Sequence, residues 1–306
     1  MLWSGNWVTP THHGAYYYNK PPLWNWILAL SFWLHGEASE WATRLPAVLA
    51  LLSFGAIIYA SAQRELGQAR AFLAALFFLT CGRVLLWESL LGLIDIFFSL
   101  IIYLLFWVVY HYERKQAWWP LFLASYGLMV VGYMLKGLPA IAFQGITLVL
   151  WLTYRGHWQE LFRIPHLLSG LLSVVLIGSY YWLYSRHHDL SPLFAALFTE
   201  SSKRTAAAYG FSDTLRHFLS FPVALFYHFL PWSFLGLSLV HPKARQRVWS
   251  HPFSRYALLV GLANVIIYWL SPNFYPRYIL MLIPLFFIVL LQAYHHDLPS
   301  WIRRSY

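Results

Sequence analysis

Long apolar runs recur along this chain from Leu45 to Leu291, and they constrain its fold more than any other feature. Only 10% of the 306 residues are charged, whereas 59% are hydrophobic and 20% are aromatic. Soluble domains carry about 25% charged residues, so a soluble protein of this composition could not cover its surface. The sequence therefore predicts an all-α integral membrane protein, a polytopic helix bundle.

Nine of these runs are predicted to span the membrane. They are Leu45–Ala62, Ala71–Trp87, Leu93–Tyr110, Trp118–Leu135, Leu138–Tyr154, Leu167–Ser185, Leu219–Val240, Tyr256–Leu270 and Arg277–Leu291. Residues 1–44 are predicted to form an outer-face loop with an interfacial helix over Leu23–Leu34, because this run is too short to cross a bilayer about 30 Å thick. Residues 45–306 are predicted to be the transmembrane bundle, with an outer loop near 186–218.

The distribution of basic residues predicts the orientation of the bundle. One set of alternate loops carries 12 basic and 4 acidic residues, and the opposite set carries 9 basic and 7 acidic residues. The more basic set is predicted to be cytoplasmic, which places the N-terminal lead and the 186–218 loop outside. The net charge of +10 favours contact with membrane lipids, and no soluble basic stripe interleaved with aromatics predicts nucleic-acid binding.

Common catalytic and metal-binding motifs are absent from the sequence. Its single cysteine, Cys81, excludes an internal disulfide and a cysteine-built metal site. Three His-His pairs occur, but adjacent histidines do not share a helix face, so we interpret them as interfacial polar clusters rather than metal ligands. The sequence contains no Walker loop, no Gly-x-Gly-x-x-Gly and no His-Glu-x-x-His, and no nucleophilic triad can be assembled.

A polar and aromatic segment, Tyr16–Trp24, precedes the first apolar run. Two prolines follow Lys20 and fix the backbone as a rigid loop or helix start, which would hold the ammonium group at the lip of a helix. Tyr17 and Tyr18 place hydroxyl groups beside it, and such a combination suits a phosphate. The alternative interpretation is an interfacial anchor, in which Lys20 snorkels and the aromatic rings lie in the membrane interface.

Other charged residues fall at or near the ends of predicted helices on the same outer side. The full set is Lys20, Arg83, Glu88, Asp95, Lys136, Glu200, Lys203, Arg204 and Arg277. Each residue alone has an alternative explanation as a snorkelling side chain. Taken together, they predict an outward-facing polar cavity that holds an anion, because ionisable groups at membrane depth are costly and tend to be functional.

Several ordered motifs resemble those of a known family. Three N-terminal blocks resemble the first outer loop of the PMT-like glycosyltransferases, which are GT-C enzymes of the dolichyl-phosphate-mannose–protein mannosyltransferase superfamily and include bacterial lipid A aminoarabinose transferases. These blocks are Ser4-Gly5-Asn6-Trp7-Val8-x-Pro10, Tyr17-x-x-Lys20-Pro21-Pro22-Leu23-x-x-Trp26 and Ala42-x-Arg44-Leu45-Pro46. Later similarities are Asp95, Lys136-Gly137-Leu138-Pro139, Glu200-Ser201-x-Lys203-Arg204 and Pro276-Arg277-Tyr278.

The resemblance implies a membrane glycosyltransferase. It would move a sugar from a polyprenyl-phosphate carrier, such as undecaprenyl phosphate, to a lipid, glycan or protein acceptor on the periplasmic face of the bacterial inner membrane. The implied contacts of the lipid phosphate are Lys20, Tyr17, Arg204, Arg277 and Lys136. Fixed cations would stabilise the leaving phosphate, and a carboxylate would take the proton of the acceptor. Asp95 and Glu200 are the carboxylates expected to face the site and are the candidates for that base.

The sequence departs from the family pattern at two places. Relatives carry a further transmembrane helix followed by an acidic pair with the catalytic base, whereas this sequence starts after that point, so we expect either a late start or an inactive member. Asn19 replaces an acidic residue before the lysine, which weakens a metal site there. No cofactor is assigned, and a requirement for a divalent metal stays open.

A transporter or flippase of lipid-linked sugars is the alternative from another functional class. Transporters usually show internal pseudo-symmetry, with broken helices that meet at the bilayer midplane. The sequence shows no such pairing, and its charges are predicted to cluster at one outer face.

Overall fold

The computed structural model describes residues 1–2, 4–12, 15–202, 210–272 and 274–294, with the backbone alone at 12, 15, 197 and 200–202. Twelve α-helices dominate this part of the chain. They are α1 Leu23–His35, α2 Glu40–Leu66, α3 Gln68–Thr80, α4 Ile94–Arg114, α5 Trp118–Lys136, α6 Pro139–Tyr154, α7 Ile164–Ser185, α8 Ser191–Ser202, α9 Phe211–His228, α10 Pro242–Ser250, α11 Pro252–Trp269 and α12 Ile283–Ala293.

Shorter elements connect these helices. A π-helical turn covers Val84–Glu88, and 3₁₀ turns cover Trp158–Phe162, Trp232–Val240 and Pro276–Ile279. Near the N-terminus, two short antiparallel strands, β1 (Thr11–His12) and β2 (Ala15–Tyr16), pair Thr11 with Tyr16 and His12 with Ala15.

Helix α4 lies at the centre of the bundle. It packs against α2, α5, α6 and α11, and its large side chains Phe98, Tyr103 and Phe106 are fully buried. The Tyr103 and Ser61 hydroxyls hydrogen-bond at 2.7 Å, which satisfies a polar pair inside this core. With 21 residues, α4 extends about 30 Å, so its two ends reach opposite sides of the bundle.

The all-α membrane fold predicted from the sequence is confirmed. Helices α2, α4, α5 and α7 are each long and apolar enough to cross a membrane. Helix α7 also exposes a row of large apolar side chains, among them Leu167, Leu171, Val174 and Val175. A patch of this kind needs an apolar environment such as lipid. The count of nine spans stays a prediction.

Helix α2 begins at Glu40, five residues before the predicted start at Leu45. Ser39 caps it, because its hydroxyl accepts a hydrogen bond from the Ala42 amide. Pro46 lies inside the helix and has no N–H to donate to the Ala42 carbonyl. The buried Ser31 hydroxyl of α1 donates to that carbonyl instead, at 2.6 Å, so the helix continues through the proline.

Three predicted spans are interrupted in the structure. In the span Ala71–Trp87, the α-helix ends at Thr80 and Cys81 adopts an extended backbone conformation. The amide of Gly82 then donates a hydrogen bond to the Leu230 carbonyl at 2.7 Å. The span Leu219–Val240 breaks after His228, because Pro231 cannot continue the helical hydrogen bonds. The span Arg277–Leu291 divides into the 3₁₀ turn and α12.

The predicted interfacial helix and outer loop are both partly helical. Helix α1 covers the predicted Leu23–Leu34 run, and its position in the membrane interface stays a prediction. The 186–218 segment contains α8 and the first turns of α9. Asp189 lies two residues before the start of α8. Its carboxylate accepts hydrogen bonds from the backbone amide and the hydroxyl of Ser191 at 3.0 and 2.9 Å. These two bonds lower the pKa of the Asp189 carboxyl.

Candidate functional site

Two helix ends bring Asp95 and Lys136 together. Asp95 lies in the first turn of α4 and Lys136 in the last turn of α5, positions where the helix dipoles favour an acid and a base respectively. The Lys136 Nζ lies 2.6 Å from the Asp95 Oδ1, and both side chains are 5% exposed. Gly137 follows at φ 79°, a conformation that favours glycine, and it turns the chain into α6. The pair is therefore a buried salt bridge fixed by backbone geometry.

A second cation, Arg277, approaches the same carboxylate. Its Nε lies 3.7 Å from the Asp95 Oδ2, and its side chain is 28% exposed. Arg277 belongs to the 3₁₀ turn before α12, and the next residue, Tyr278, places its ring 4.5 Å from the Lys136 Nζ. The Phe98 ring lies 5.1 Å from the same Nζ on another side. Two aromatic rings thus contact the buried ammonium group, and cation–π attraction stabilises its charge away from water.

Lys20 completes this group, which we call the Asp95 cluster (Lys20, Asp95, Lys136 and Arg277). The charges of Lys136, Lys20 and Arg277 all act on the Asp95 carboxylate. Lys20 and Tyr17 line a cavity of about 300 Å³ whose wall includes Ile94, the neighbour of Asp95. The remaining wall is formed by Thr11, Pro21, Trp24 and Asn25. An open cavity therefore lies directly beside the cluster.

The N-terminal lead is held in place by contacts with α7 and α1. The Tyr180 hydroxyl donates to the Val8 carbonyl at 3.1 Å, and the Trp26 indole donates to the Trp7 carbonyl at 2.7 Å. A narrow cleft between the lead and α7 is lined by several phenols as well as Lys20. These phenols are Tyr17, Tyr18, Tyr180, Tyr181 and Tyr184. Hydroxyl donors are therefore concentrated on one side of the Lys20 ammonium.

Arg83 and Glu88 form a second ion pair near the Asp95 cluster. The Arg83 Nε lies 2.8 Å from the Glu88 Oε1, and Glu88 is 1% exposed. The Glu88 Oε2 is buried without a hydrogen-bond partner in the described residues. The charges of both Asp95 and Arg277 act on the Glu88 carboxyl, which places the pair in the same electrostatic environment.

Arg83 and Glu88 were predicted from the sequence to be outer charges, but not to pair with each other. They are five residues apart, and in an α-helix that spacing places them on different faces. The π-helical turn Val84–Glu88 brings positions i and i+5 together instead. No local residue pattern indicates this turn, so the pairing could be found only in the folded chain.

The structure brings together five of the predicted site residues: Lys20, Tyr17, Asp95, Lys136 and Arg277. Arg204 lies outside the described residues, and so does the side chain of Glu200 in α8. Within the described part of the chain, no three His, Cys, Asp or Glu residues are grouped as metal ligands would be.

The arrangement has an excess of positive charge. Four cations, Lys20, Arg83, Lys136 and Arg277, surround two carboxylates, Glu88 and Asp95. The carboxylates form ion pairs with Arg83, Lys136 and Arg277, and Lys20 lines the neighbouring cavity together with Tyr17 and Trp24. Preorganised cations of this kind can bind an anion and stabilise negative charge that develops on it.

Comparisons with known proteins identify similar sequences. A family model described as dolichyl-phosphate-mannose-protein mannosyltransferase matches residues 19–182, which is more than half of the chain. An undecaprenyl phosphate-alpha-4-amino-4-deoxy-L-arabinose arabinosyl transferase of Edwardsiella ictaluri is 28% identical over 243 residues, 78% of this chain and 41% of that protein. A protein of the same description from Erwinia tasmaniensis is 26% identical over 97% of this chain and 53% of its own length. The chain spans about half the length of the curated relatives it matches.

Solved structures share the fold. Crystal structures of ArnT from Cupriavidus metallidurans, bound to undecaprenyl phosphate and in the apo state, each match with a TM-score of 0.74. Their sequence identities to this chain are 22% and 23%, and the matches cover 96% of this chain and 53% and 52% of the solved chains. The likeness extends over nearly all of the helix bundle described above.

Proposed function

The chain belongs to the dolichyl-phosphate-mannose-protein mannosyltransferase family, and from this premise we propose that it acts in the transfer of a sugar from a polyprenyl-phosphate carrier. The acceptor is a lipid, glycan or protein, and the site faces the periplasm of a bacterial inner membrane. Relatives are described as undecaprenyl phosphate-aminoarabinose transferases, and one solved ArnT was bound to undecaprenyl phosphate. Undecaprenyl phosphate is therefore the carrier we propose first, with lipid A modification as the matching process.

One observation carries the proposal: three cations act on one buried carboxylate, beside a cavity that one of them lines. Lys20 and Tyr17 line the cavity, and Lys136 and Arg277 approach the two oxygens of Asp95, the neighbour of the lining residue Ile94. Transfer of a sugar from a lipid phosphate leaves negative charge on the phosphate oxygens. Cations already held in position stabilise that charge without reorganisation at the moment of reaction.

In this proposal the residues have different roles. Lys20 and Tyr17 contact the lipid phosphate directly from the cavity wall, and Arg277, which is partly exposed, approaches it from the opposite turn. Lys136 is buried in its salt bridge with Asp95, so it acts on the phosphate by charge rather than by contact. Arg204 stays a predicted contact.

Asp95 has a positioning role in this proposal. Its carboxylate is 4% exposed and is bound to Lys136, so it is poorly placed to take a proton from an acceptor. It is well placed to keep Lys136 and Arg277 from separating, because both approach its two oxygens. The use of Asp95 or Glu200 as the general base stays a prediction.

Binding of undecaprenyl phosphate tests the role of Lys20. Purified protein in detergent would be titrated with radiolabelled undecaprenyl phosphate, comparing the wild type with Lys20→Glu. Hydrogen bonds to charged groups are worth about 1.5–3 kcal/mol, so affinity should fall about 10- to 100-fold. The matched control is Lys115→Glu, an exposed lysine in the turn between α4 and α5, at the far end of α4. Equal affinity of the two variants would contradict the assignment of Lys20.

Activity is tested separately, in membranes that contain the full-length gene product. Donor lipid carrying radiolabelled aminoarabinose should transfer label to an acceptor in the wild type, and Lys20→Glu should abolish the transfer. Movement of the donor across sealed vesicles without a covalent product would replace this proposal with a transporter.

A further inference from the structure

A cavity of about 780 Å³ opens at the end of the bundle opposite the Asp95 cluster. It lies between the short helix α10, the start of α11 and the side of α12. Its lining residues are Leu239, Arg245, Gln246, Val248, Trp249, Ser250, Arg255, Leu258 and Val289. The proposed sugar-transfer site uses none of them.

The cavity is separated from the Asp95 cluster by the length of a helix. Arg255 lies in the first turn of α11, whereas Tyr268 lies near its last turn. The Tyr268 ring lies 5.7 Å from the Tyr278 ring, which in turn covers Lys136. Thirteen residues of helix separate Arg255 from Tyr268, a distance of about 20 Å along the axis. A ligand in this cavity is therefore distinct from a ligand at Lys20.

Two arginines give the cavity its charge. Arg245 and Arg255 both line it, and none of the described lining residues is acidic. Neither guanidinium has a carboxylate within 4.0 Å among the described residues. The Arg255 Nε is buried and has no hydrogen-bond partner in the described part of the chain, although its Cζ lies 5.8 Å from the Tyr154 ring. A buried donor of this kind favours an acceptor from outside the chain.

The remaining walls combine polar and apolar groups. Gln246 and Ser250 add an amide and a hydroxyl beside the arginines, and Leu239, Leu258 and Val289 form an apolar side. Trp249, 49% exposed, lies at the mouth, in the manner of an interfacial aromatic residue. The cavity is therefore amphipathic: a cationic and hydrogen-bonding part adjoins an apolar part.

We propose that this cavity binds the headgroup of an anionic phospholipid. A phosphodiester would accept hydrogen bonds from Arg245 and Arg255, and headgroup hydroxyls would meet Gln246 and Ser250. The start of an acyl chain would cover the apolar side. Helix α10 carries Lys243, Arg245 and Arg247 and no acidic residue, so it attracts an anionic membrane surface. A free inorganic phosphate would leave the apolar wall and most of the volume unfilled.

Lipid binding to the purified full chain tests the proposal. Native mass spectrometry would count bound lipid when phosphatidylglycerol or phosphatidylcholine is added to the detergent solution. The wild type should retain phosphatidylglycerol in preference to phosphatidylcholine. The double variant Arg245→Gln/Arg255→Gln should bind phosphatidylglycerol roughly 30-fold more weakly. Each basic residue near an anionic lipid surface raises the affinity about fivefold, and the double variant loses two of them.

The matched control removes two positive charges elsewhere at the same end. Arg64→Gln/Lys115→Gln changes two exposed basic residues that neither line the cavity nor belong to α10, and its affinity should stay within about threefold of the wild type. A second variant, Gln246→Glu, places a carboxylate at the exposed edge of the cavity and should also weaken binding of phosphatidylglycerol. It avoids any effect on folding from the loss of the partly buried Arg255.

Any one of four results would overturn the proposal. Three of them are equal retention of the two lipids by the wild type, undiminished binding by Gln246→Glu, and equal losses in the double variant and its control. Displacement of phosphatidylglycerol by millimolar inorganic phosphate would also overturn it, because it would identify a site for a free anion.

Discussion

Asp95 illustrates how one buried charge can organise a site. A lone carboxylate at 4% exposure would be strongly disfavoured, but Lys136 donates to it at 2.6 Å and Arg277 approaches its other oxygen. The charge of Lys20 acts on it from the cavity side. Each cation is stabilised by the same carboxylate, so loss of Asp95 would leave several positive charges to repel one another.

Replacement of Asp95 by asparagine should therefore be costly. Asp95→Asn leaves Lys136 buried without its counter-charge, and breaking a buried pair in this way costs about 3–5 kcal/mol. The free energy of unfolding in detergent, measured by denaturant titration, should fall by that amount. Asp95→Asn/Lys136→Met removes the orphaned cation as well and should recover part of the loss.

The control for this prediction is Asp213→Asn, the same change at an exposed position in the first turn of α9. It should lower the free energy of unfolding by less than about 1 kcal/mol. If Asp95→Asn is as mild as Asp213→Asn, the Asp95–Lys136 salt bridge does not stabilise the fold.

Close packing of α5 against its neighbours depends on glycine at one face of the helix. A Cβ on Gly132 would lie 3.0 Å from the Ala140 Cβ of α6 and 3.3 Å from the Ile102 Cδ1 of α4. The Ala140 Cβ is attached directly to the backbone, so it can move only with its helix. Gly127, on the exposed side of the same helix, has no atom within 4 Å of the equivalent position.

These two glycines provide a matched test at the level of the element. Gly127→Ala should leave the free energy of unfolding unchanged or raise it by up to about 1 kcal/mol, because alanine favours helix. Gly132→Ala should lower it by about 1–3 kcal/mol relative to Gly127→Ala, because the extra methyl overpacks the α4–α5–α6 contact. Denaturant titration in detergent measures both. Equal changes in the free energy of unfolding would show that α6 moves away from the added methyl group without loss of stability.

The whole molecule has two charged ends joined by α4. Asp95 belongs to one end, and Glu113 belongs to the other, where Arg155 and His157 both approach its carboxylate at 3.0 Å. Helix α7, with its apolar outer face, packs against α5. The proposed phosphate site at one end and the proposed lipid headgroup site at the other fit a protein that is fixed across a bilayer.

The orientation of the bundle can be tested with single cysteines. In a Cys81→Ala background, Asp189→Cys and Lys115→Cys place thiols at exposed positions between α7 and α8 and between α4 and α5. The excess of basic residues predicts that Lys115 lies in the cytoplasm and Asp189 in the periplasm. A membrane-impermeant maleimide should label Asp189→Cys in intact spheroplasts and Lys115→Cys only after permeabilisation. The reverse pattern would place the Asp95 cluster on the cytoplasmic side.

The amino-acid sequence alone determined the class of this molecule. Its low charge and repeated apolar runs required a membrane bundle, and the ends of α5, α6 and α7 were predicted within a few residues. The ordered blocks around Lys20 and Lys136 identified the family. These features are local or compositional, so they can be read without knowledge of the fold.

Tertiary structure decided how the charges meet. Contacts between distant segments, such as Gly82 with Leu230, stabilise the interruptions of the predicted helices at Cys81 and Pro231. They also stabilise the π turn that pairs Arg83 with Glu88. Lys136 and Arg277, two of the cations predicted to contact a phosphate, both approach Asp95, which lies 41 residues before Lys136 in the chain. Ion pairing depends on distance in space, and only the packing of α4, α5 and the turn before α12 sets that distance.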